Sequence, residues 1–252
     1  MLSGVKLILI ILLTICVGAV KGEEVLKVGL LTEDRPPFYM ASSEKGSLEG
    51  IYIDLLNEAF AGTNVRLEFH RLPQTRLRLM MEEGGLDVEP GIDMRWRQRP
   101  QEVLGSVYSE PFMEDAEVLL FAKDAYREDY NKIYMRKLRF CGVRGYEIPD
   151  ALKDYLPSEY DSASQLYVLN EVQALRMLEM SRCDYTYISK LLYRFLNIWN
   201  AYEIEVHPHA LQHFQLRFRL NRKHEKLLER INMNLAHMQQ SGELQRIMKR
   251  YE

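Results

Sequence analysis

The sequence predicts an α/β protein of two lobes. Its first half reads β-α-β-α-β, the order of a layered α/β domain. Its second half starts a new β-α-β unit after a loop. The chain then ends in amphipathic helices with no sheet of their own to follow, so these must pack back onto an earlier lobe.

Each element has its own signal. VLKVGLL (Val25 to Leu31) is an apolar run of strand length, broken by EDRPPF, whose paired prolines forbid ladder and helix alike. GIYIDLLNEAFAG (Gly50 to Gly62) carries apolar residues at helical spacing and ends on a glycine. VRLEFHRL alternates as a half-buried strand does. TRLRLMMEEGG is a short helix stopped by glycine, and LDVEPGI is a third strand. EVLLFAK (Glu117 to Lys123) is an apolar strand, and RFCGVRGYEIP is a strand running into a glycine turn. NEVQALRMLEMSR (Asn170 to Arg182) is an amphipathic helix leading directly into the strand CDYTYIS. YEIEV and FQLRFRL are expected as two further strands, with a turn at Pro208 between them. Two amphipathic helices split at Ser241-Gly242 close the chain.

Composition narrows the function. The 252 residues suffice for one large domain or two small ones. A net charge of −3 argues against non-specific nucleic-acid binding, which needs a basic surface to release counterions. Residues 1–22 read as a secretory signal peptide. Lys6 precedes an apolar run shorter than the ~20 residues that span a bilayer, and small residues follow at Val17, Ala19, Val20 and Gly22. An uncleaved anchor is the alternative. Export leaves Cys141 and Cys183 in an oxidising compartment, as one disulfide or as two buried thiols. Catalytic signatures are missing: there is no G-x-S-x-G elbow, P-loop or HExxH. His207, His209 and His213 lie close together and could ligate a metal, but the expectation is exposed loop histidines and no cofactor.

The most unusual stretch is MRWRQRP (Met94 to Pro100), with three arginines around one tryptophan in an acidic chain. Six stretches in order resemble the bacterial solute-binding proteins of family 3, the polar amino-acid binders of ABC transporters. They are LKVGLLTEDRPPFYM, GSLEGIYIDLLNEAF, MEEGGLDVEPGI, VYSEPF, RFCGVRGY and LLERINMNLAHMQQSGELQRIMKRYE. The resemblance implies a type II periplasmic-binding-protein fold: two Rossmann-like lobes joined by two hinge strands, closing on a ligand. It places lobe 1 at 23–114 and 213–252, and lobe 2 at 115–212. It also places Cys141 and Cys183 at neighbouring strand starts in lobe 2, which favours a disulfide.

The resemblance implies an arginine after the third strand that grips a ligand carboxylate with its planar fork. Matching a Trp-Arg pair selects Arg97, ungapped counting selects Arg99, and Arg95 is third; the segment is too long to decide. Phe38 falls at the cleft mouth, Trp96 could be a second wall, and Tyr146 stands where a small hydroxyl residue helps hold the carboxylate. Glu33, Glu89 and Asp93 are the acids that could face a ligand amine. The departures are as informative. Ser189 occupies the place of the ammonium-binding carboxylate, Thr32 that of an acid in the first loop, and Tyr52 that of the signature acid. The strand-end hydroxyl positions fall on Gly91, Ile92 and Met94.

The expectation is a monomeric periplasmic protein that clamps a small carboxylate-bearing or zwitterionic solute, an amino acid or a relative of one, for an ABC permease. The alternatives are a sensory module for a membrane receptor, and a cleft enzyme of the dehydratase type in which burial raises the pKa of Glu89.

Overall fold

The computed structural model describes residues 22–157 and 164–251. The signal-peptide expectation falls on residues outside this description.

The first half builds β1 (Glu24–Leu31), β2 (Met40–Ala41), β3 (Leu48–Glu49), α1 (Ile51–Ala59), β4 (Val65–Leu72), α2 (Gln74–Glu82) and β5 (Val88–Ile92). It continues through α3 (Pro100–Gly105) and β6 (Ser106–Tyr108). The second half holds β7 (Met113–Ala122), α4 (Lys132–Met135), β8 (Phe140–Val143), α5 (Asp150–Lys153), β9 (Gln165–Val168), α6 (Glu171–Glu179), β10 (Tyr185–Ser189) and α7 (Lys190–Asn200). The chain finishes with β11 (Ile204–Asn221), α8 (Leu228–Ser241) and α9 (Glu243–Arg250).

The strands run β4-β1-β5-β11-β7-β10-β8-β9, with β6 also on β11. β1 lies parallel to both β4 and β5, as β-α-β units require. In the second half β8 is parallel to both β9 and β10. The two halves meet at β11. Its Ile204-to-Leu216 stretch pairs antiparallel with β7, and its Arg217-to-Leu220 stretch pairs antiparallel with β5. The expected turn at Pro208 is therefore absent: YEIEV and FQLRFRL belong to one 18-residue strand. Register shifts between Val206 and Gln212 absorb the proline, which has no N–H to give the ladder.

Long-range contacts fix the ends of α1. Gly50 has φ 134°, and a Cβ there would come within 2.4 Å of the Phe38 carbonyl oxygen. That close approach lets the Pro37 and Phe38 carbonyls accept from the N–H groups of Ile51 and Tyr52, two donors with no partner inside the helix. Tyr251 donates to Asp54 and accepts from the Gly50 N–H, pinning the chain end to α1. Ile231, Leu235, Met238 and Ile247 bury the inner faces of α8 and α9 in the same core. The closing helices thus return to the first half. In the second half a disulfide joins Cys141 and Cys183, both fully buried, with Cα atoms 5.9 Å apart.

Candidate functional site

The MRWRQRP arginines have three separate fates. Arg95 turns back on Asp93 in a two-pronged pair at 2.9 Å and donates to the His213 carbonyl. Asp93 also accepts from the Gln215 N–H, so it faces its own neighbours rather than a ligand. Arg99 precedes Pro100, which opens α3 and disfavours helical geometry in the residue before it. Its side chain points outward to Glu82 at 3.3 Å and does not line the cleft.

Arg97 is buried, with only 4% of its surface exposed. Its Nη2 and Nε donate to Glu89 at 2.5 and 3.2 Å, and its Nη1 donates to the Trp96 carbonyl. Glu89 also accepts from Arg219 at 2.8 Å, while Arg78 holds Glu102 through two bonds of 2.5 and 2.7 Å. Three guanidiniums and two carboxylates therefore form one buried network beside the cleft. Burial alone would raise the Glu89 carboxyl, but Arg97 and Arg219 overcome it and hold the group below the usual carboxylate range. The expected raised pKa at Glu89 is thus reversed.

The cleft lies where the two halves face each other. A cavity of about 110 Å³ is lined by both, including Phe38, Tyr52, Trp96, Asp115, Ser189 and Phe214. A water fills roughly 10–15 Å³ of such space, so a small solute fits. Phe38 stacks on Tyr52 at 4.8 Å between centroids, and Trp96 packs against Phe214 at 5.0 Å. Both predicted aromatic walls border the cavity.

Arg35 spans the cleft. It leaves the loop after β1 and donates to Glu171, the first residue of α6, at 2.5 Å. Its guanidinium lies 5.7 Å from the Phe38 ring centroid and 5.9 Å from that of Tyr146. Tyr146 donates to the same Glu171 oxygen at 2.7 Å. Burial, with Glu171 beside it, keeps that phenol protonated. A second cavity of about 450 Å³, open toward Glu33 and Arg144, lies on the other side of this trio. Glu33 is exposed and borders that outer space, not the inner cavity.

Ser189 ends β10. Its hydroxyl donates to Asp115 of β7 and accepts from the Leu192 N–H that opens α7. A carboxylate therefore does stand beside Ser189, supplied by the neighbouring strand. Glu117, two residues along β7, also lines the cavity and accepts from Gln212 at 2.6 Å. Burial pushes its carboxyl up to about 7; Gln212 opposes the shift and Asp115 adds to it. Burial also raises Asp115. Sequence reasoning missed Arg35, Asp115, Glu117 and Glu171. Arg35 lies three residues before Phe38 and Asp115 three after Phe112, so both were within quoted or adjoining motifs.

The three histidines lie on strand β11 rather than in a loop, and His207 is buried, against the expectation, while His209 and His213 are exposed. The His207 ring nitrogens meet the Glu128 and His209 carbonyls, and the ring packs edge-on to Tyr130. Among the described residues no cluster of three or more histidine, cysteine, aspartate or glutamate side chains is arranged to hold a metal. No helix among them is long and apolar enough to cross a membrane.

The family model for bacterial extracellular solute-binding proteins, family 3, matches residues 26–252. The chain belongs to this family. It is a ligand-binding protein with the family's two-lobed α/β fold. One similar structure is an ancestral arginine-binding protein bound to arginine: TM-score 0.72, 17% identity, 91% of this chain and 99% of that one covered. Another is an amino acid ABC transporter substrate-binding protein from Streptococcus pneumoniae bound to L-arginine: TM-score 0.74, 16% identity, coverage 92% and 96%. A third is a histidine kinase sensor domain similar to periplasmic binding proteins: TM-score 0.74, 16% identity, coverage 91% and 96%. At these identities the likeness concerns the fold alone. A search of curated proteins by sequence finds no match.

Proposed function

We propose that this chain is a periplasmic solute-binding protein. It closes two lobes on a small solute, an amino acid or a related compound, and delivers it to an ABC permease. One observation carries this reading: Arg35 of the first half reaches Glu171 and Tyr146 of the second across a cavity lined by both halves. Such a contact is made on closure and lost on opening, the behaviour of a hinge-closing protein. The lobes are residues 23–114 with 213–252, and 115–212, and the hinges are the connections around Ser109–Met113 and Phe214–Arg217. The protein acts as a monomer and binds rather than transforms its ligand. Glu89, buried between two arginines, suits neither the general acid nor the general base of a cleft enzyme. A sensory role is the second reading, favoured by the match to a kinase sensor domain.

The test is a thermal-shift screen of the mature protein with amino acids, amines, organic acids, sugars and short peptides. A ligand at about 100 times its Kd adds roughly 2.7 kcal/mol of stability. Small-angle scattering should then report a more compact particle, and Arg35→Ala should blunt that compaction. If no solute in the screen shifts the melting temperature, the solute-binding reading fails.

A further inference from the structure

The charges around the inner cavity do not balance. Of the basic side chains that line it, Arg97 is paired with Glu89 and Arg35 with Glu171. Glu147 lies 3.6 Å from Arg78. Asp115 and Glu117 line the same cavity, and among the described residues neither has an ion-pair partner. Buried carboxylates without cations are costly.

Their geometry is set for a ligand. Asp115 Oδ1 accepts from the N–H groups of Ala116 and Leu191 at 2.7 and 3.3 Å, and Oδ2 accepts from Ser189. The carboxylate is held in place, yet Oδ2 keeps room for another donor. Glu117 accepts from Gln212 through Oε2 alone. Tyr52, 3% exposed, borders the cavity, and its hydroxyl has no hydrogen-bond partner among the described residues. A Cβ on Gly91 would lie 2.2 Å from that oxygen, so the missing side chain at Gly91 is what lets the hydroxyl reach in. The aromatic faces of Phe38, Trp96 and Phe214 complete the wall, a setting that suits an organic cation.

We infer that Asp115, Glu117, Ser189 and Tyr52 form a subsite for a primary ammonium group, and that the solute is a net-cationic amine whose binding needs no carboxylate. This rests on the solute-binding reading above and sharpens it. Each arginine at the cavity is already ion-paired, Arg97 with Glu89 and Arg35, through Nη2 alone, with Glu171, whereas Asp115 and Glu117 await a cation. An ammonium group can come from an amino acid or from a simple amine, and matched ligands separate the two.

The experiment is calorimetric titration of the mature protein at neutral pH with pentane-1,5-diamine, lysine, lysinamide and glutarate. The diamine and lysinamide should bind at least as tightly as lysine, and glutarate should not bind. Asp115→Asn and Glu117→Gln should each weaken amine binding roughly tenfold or more. Neither should lower the melting temperature of the ligand-free protein, since each removes a carboxyl whose charged form burial already disfavours and which has no ion-pair partner among the described residues. A lysinamide affinity far below that of lysine, full affinity in both variants, or silence with every amine would each overturn the ammonium subsite. If the amines are silent while a solute of the wider screen binds, the solute-binding reading stands and only this inference falls.

Discussion

Glu89→Gln tests the account of the arginine cluster most directly. Glu89 is 3% exposed and holds Arg97 at 2.5 and 3.2 Å and Arg219 at 2.8 Å. Neutralising it leaves Arg97 and Arg219 with Glu102, which Arg78 already holds, as their nearest carboxylate, 3.8 and 3.9 Å away. Breaking a buried pair by removing one partner costs about 3–5 kcal/mol. For a protein of this size each kcal/mol moves the melting temperature by roughly 2–4 °C, so the expected fall is about 6–20 °C. Because the folded-state pKa of Glu89 is depressed, its stabilisation is present above the unfolded value of 4.5 and is lost as pH falls through the folded value. The gap between wild type and variant should therefore hold from neutral pH down to about 4.5 and close only in stronger acid. Scanning fluorimetry across pH reads this directly. The double variant Glu89→Gln/Arg97→Met should lose less than the two single losses added together, since the residues act as a unit. A fall of under about 3 °C, together with tighter binding of carboxylates by Glu89→Gln, would refute the reasoning. Arg97 would then be a ligand residue that Glu89 merely occupies.

Glu117 should behave oppositely. Burial raises its carboxyl to about 7, with Asp93 and Asp115 adding to the shift and Gln212 and Arg95 opposing it. The folded state then keeps a proton the unfolded chain has released, and stability falls as pH rises from about 4.5 to about 7. Glu117→Gln should stabilise the ligand-free protein at pH near 8 by up to about 3 kcal/mol and leave it unchanged near pH 4; equal effects at both pH values would contradict this. The disulfide closes a loop of 42 residues, for which chain entropy gives about 4 kcal/mol. Cys141→Ser/Cys183→Ser should lower the urea midpoint accordingly, and intact mass under non-reducing conditions should show no free thiol at either position.

Much of the fold was legible because its signals are local. VRLEFHRL alternates and becomes β4 over the same eight residues. Gly242 splits the closing helices as expected, at φ 74°. The misreading at Pro208 was also local: a proline usually ends a strand, but here β7 runs beside it and a bulge accommodates it. Helix α7 escaped notice because KLLYRFLNIWN directly follows a strand with no glycine or proline to mark its start; the Ser189 side chain caps it instead. The candidate site was less legible. Phe38, Trp96, Tyr146 and Ser189, which the motifs point to, border the cavity. Arg99 and Glu33 do not border it, and Arg95 and Asp93 turn on each other.

The sequence by itself determined the family, the β-α-β order of the first half, the closing helices, and the loop that would hold the arginines. Periodicity, glycine stops and proline breaks act over a few residues, so they survive without knowledge of the fold. Only the tertiary structure decided what each charge does. Arg97 meets Glu89 eight residues away and shares it with Arg219 from 130 residues away, while Asp115 and Glu117 reach the cavity without an ion-pair partner among the described residues. Whether a guanidinium is a clamp or a strut depends on which carboxylate the folded chain brings within about 3 Å, and sequence spacing does not carry that information.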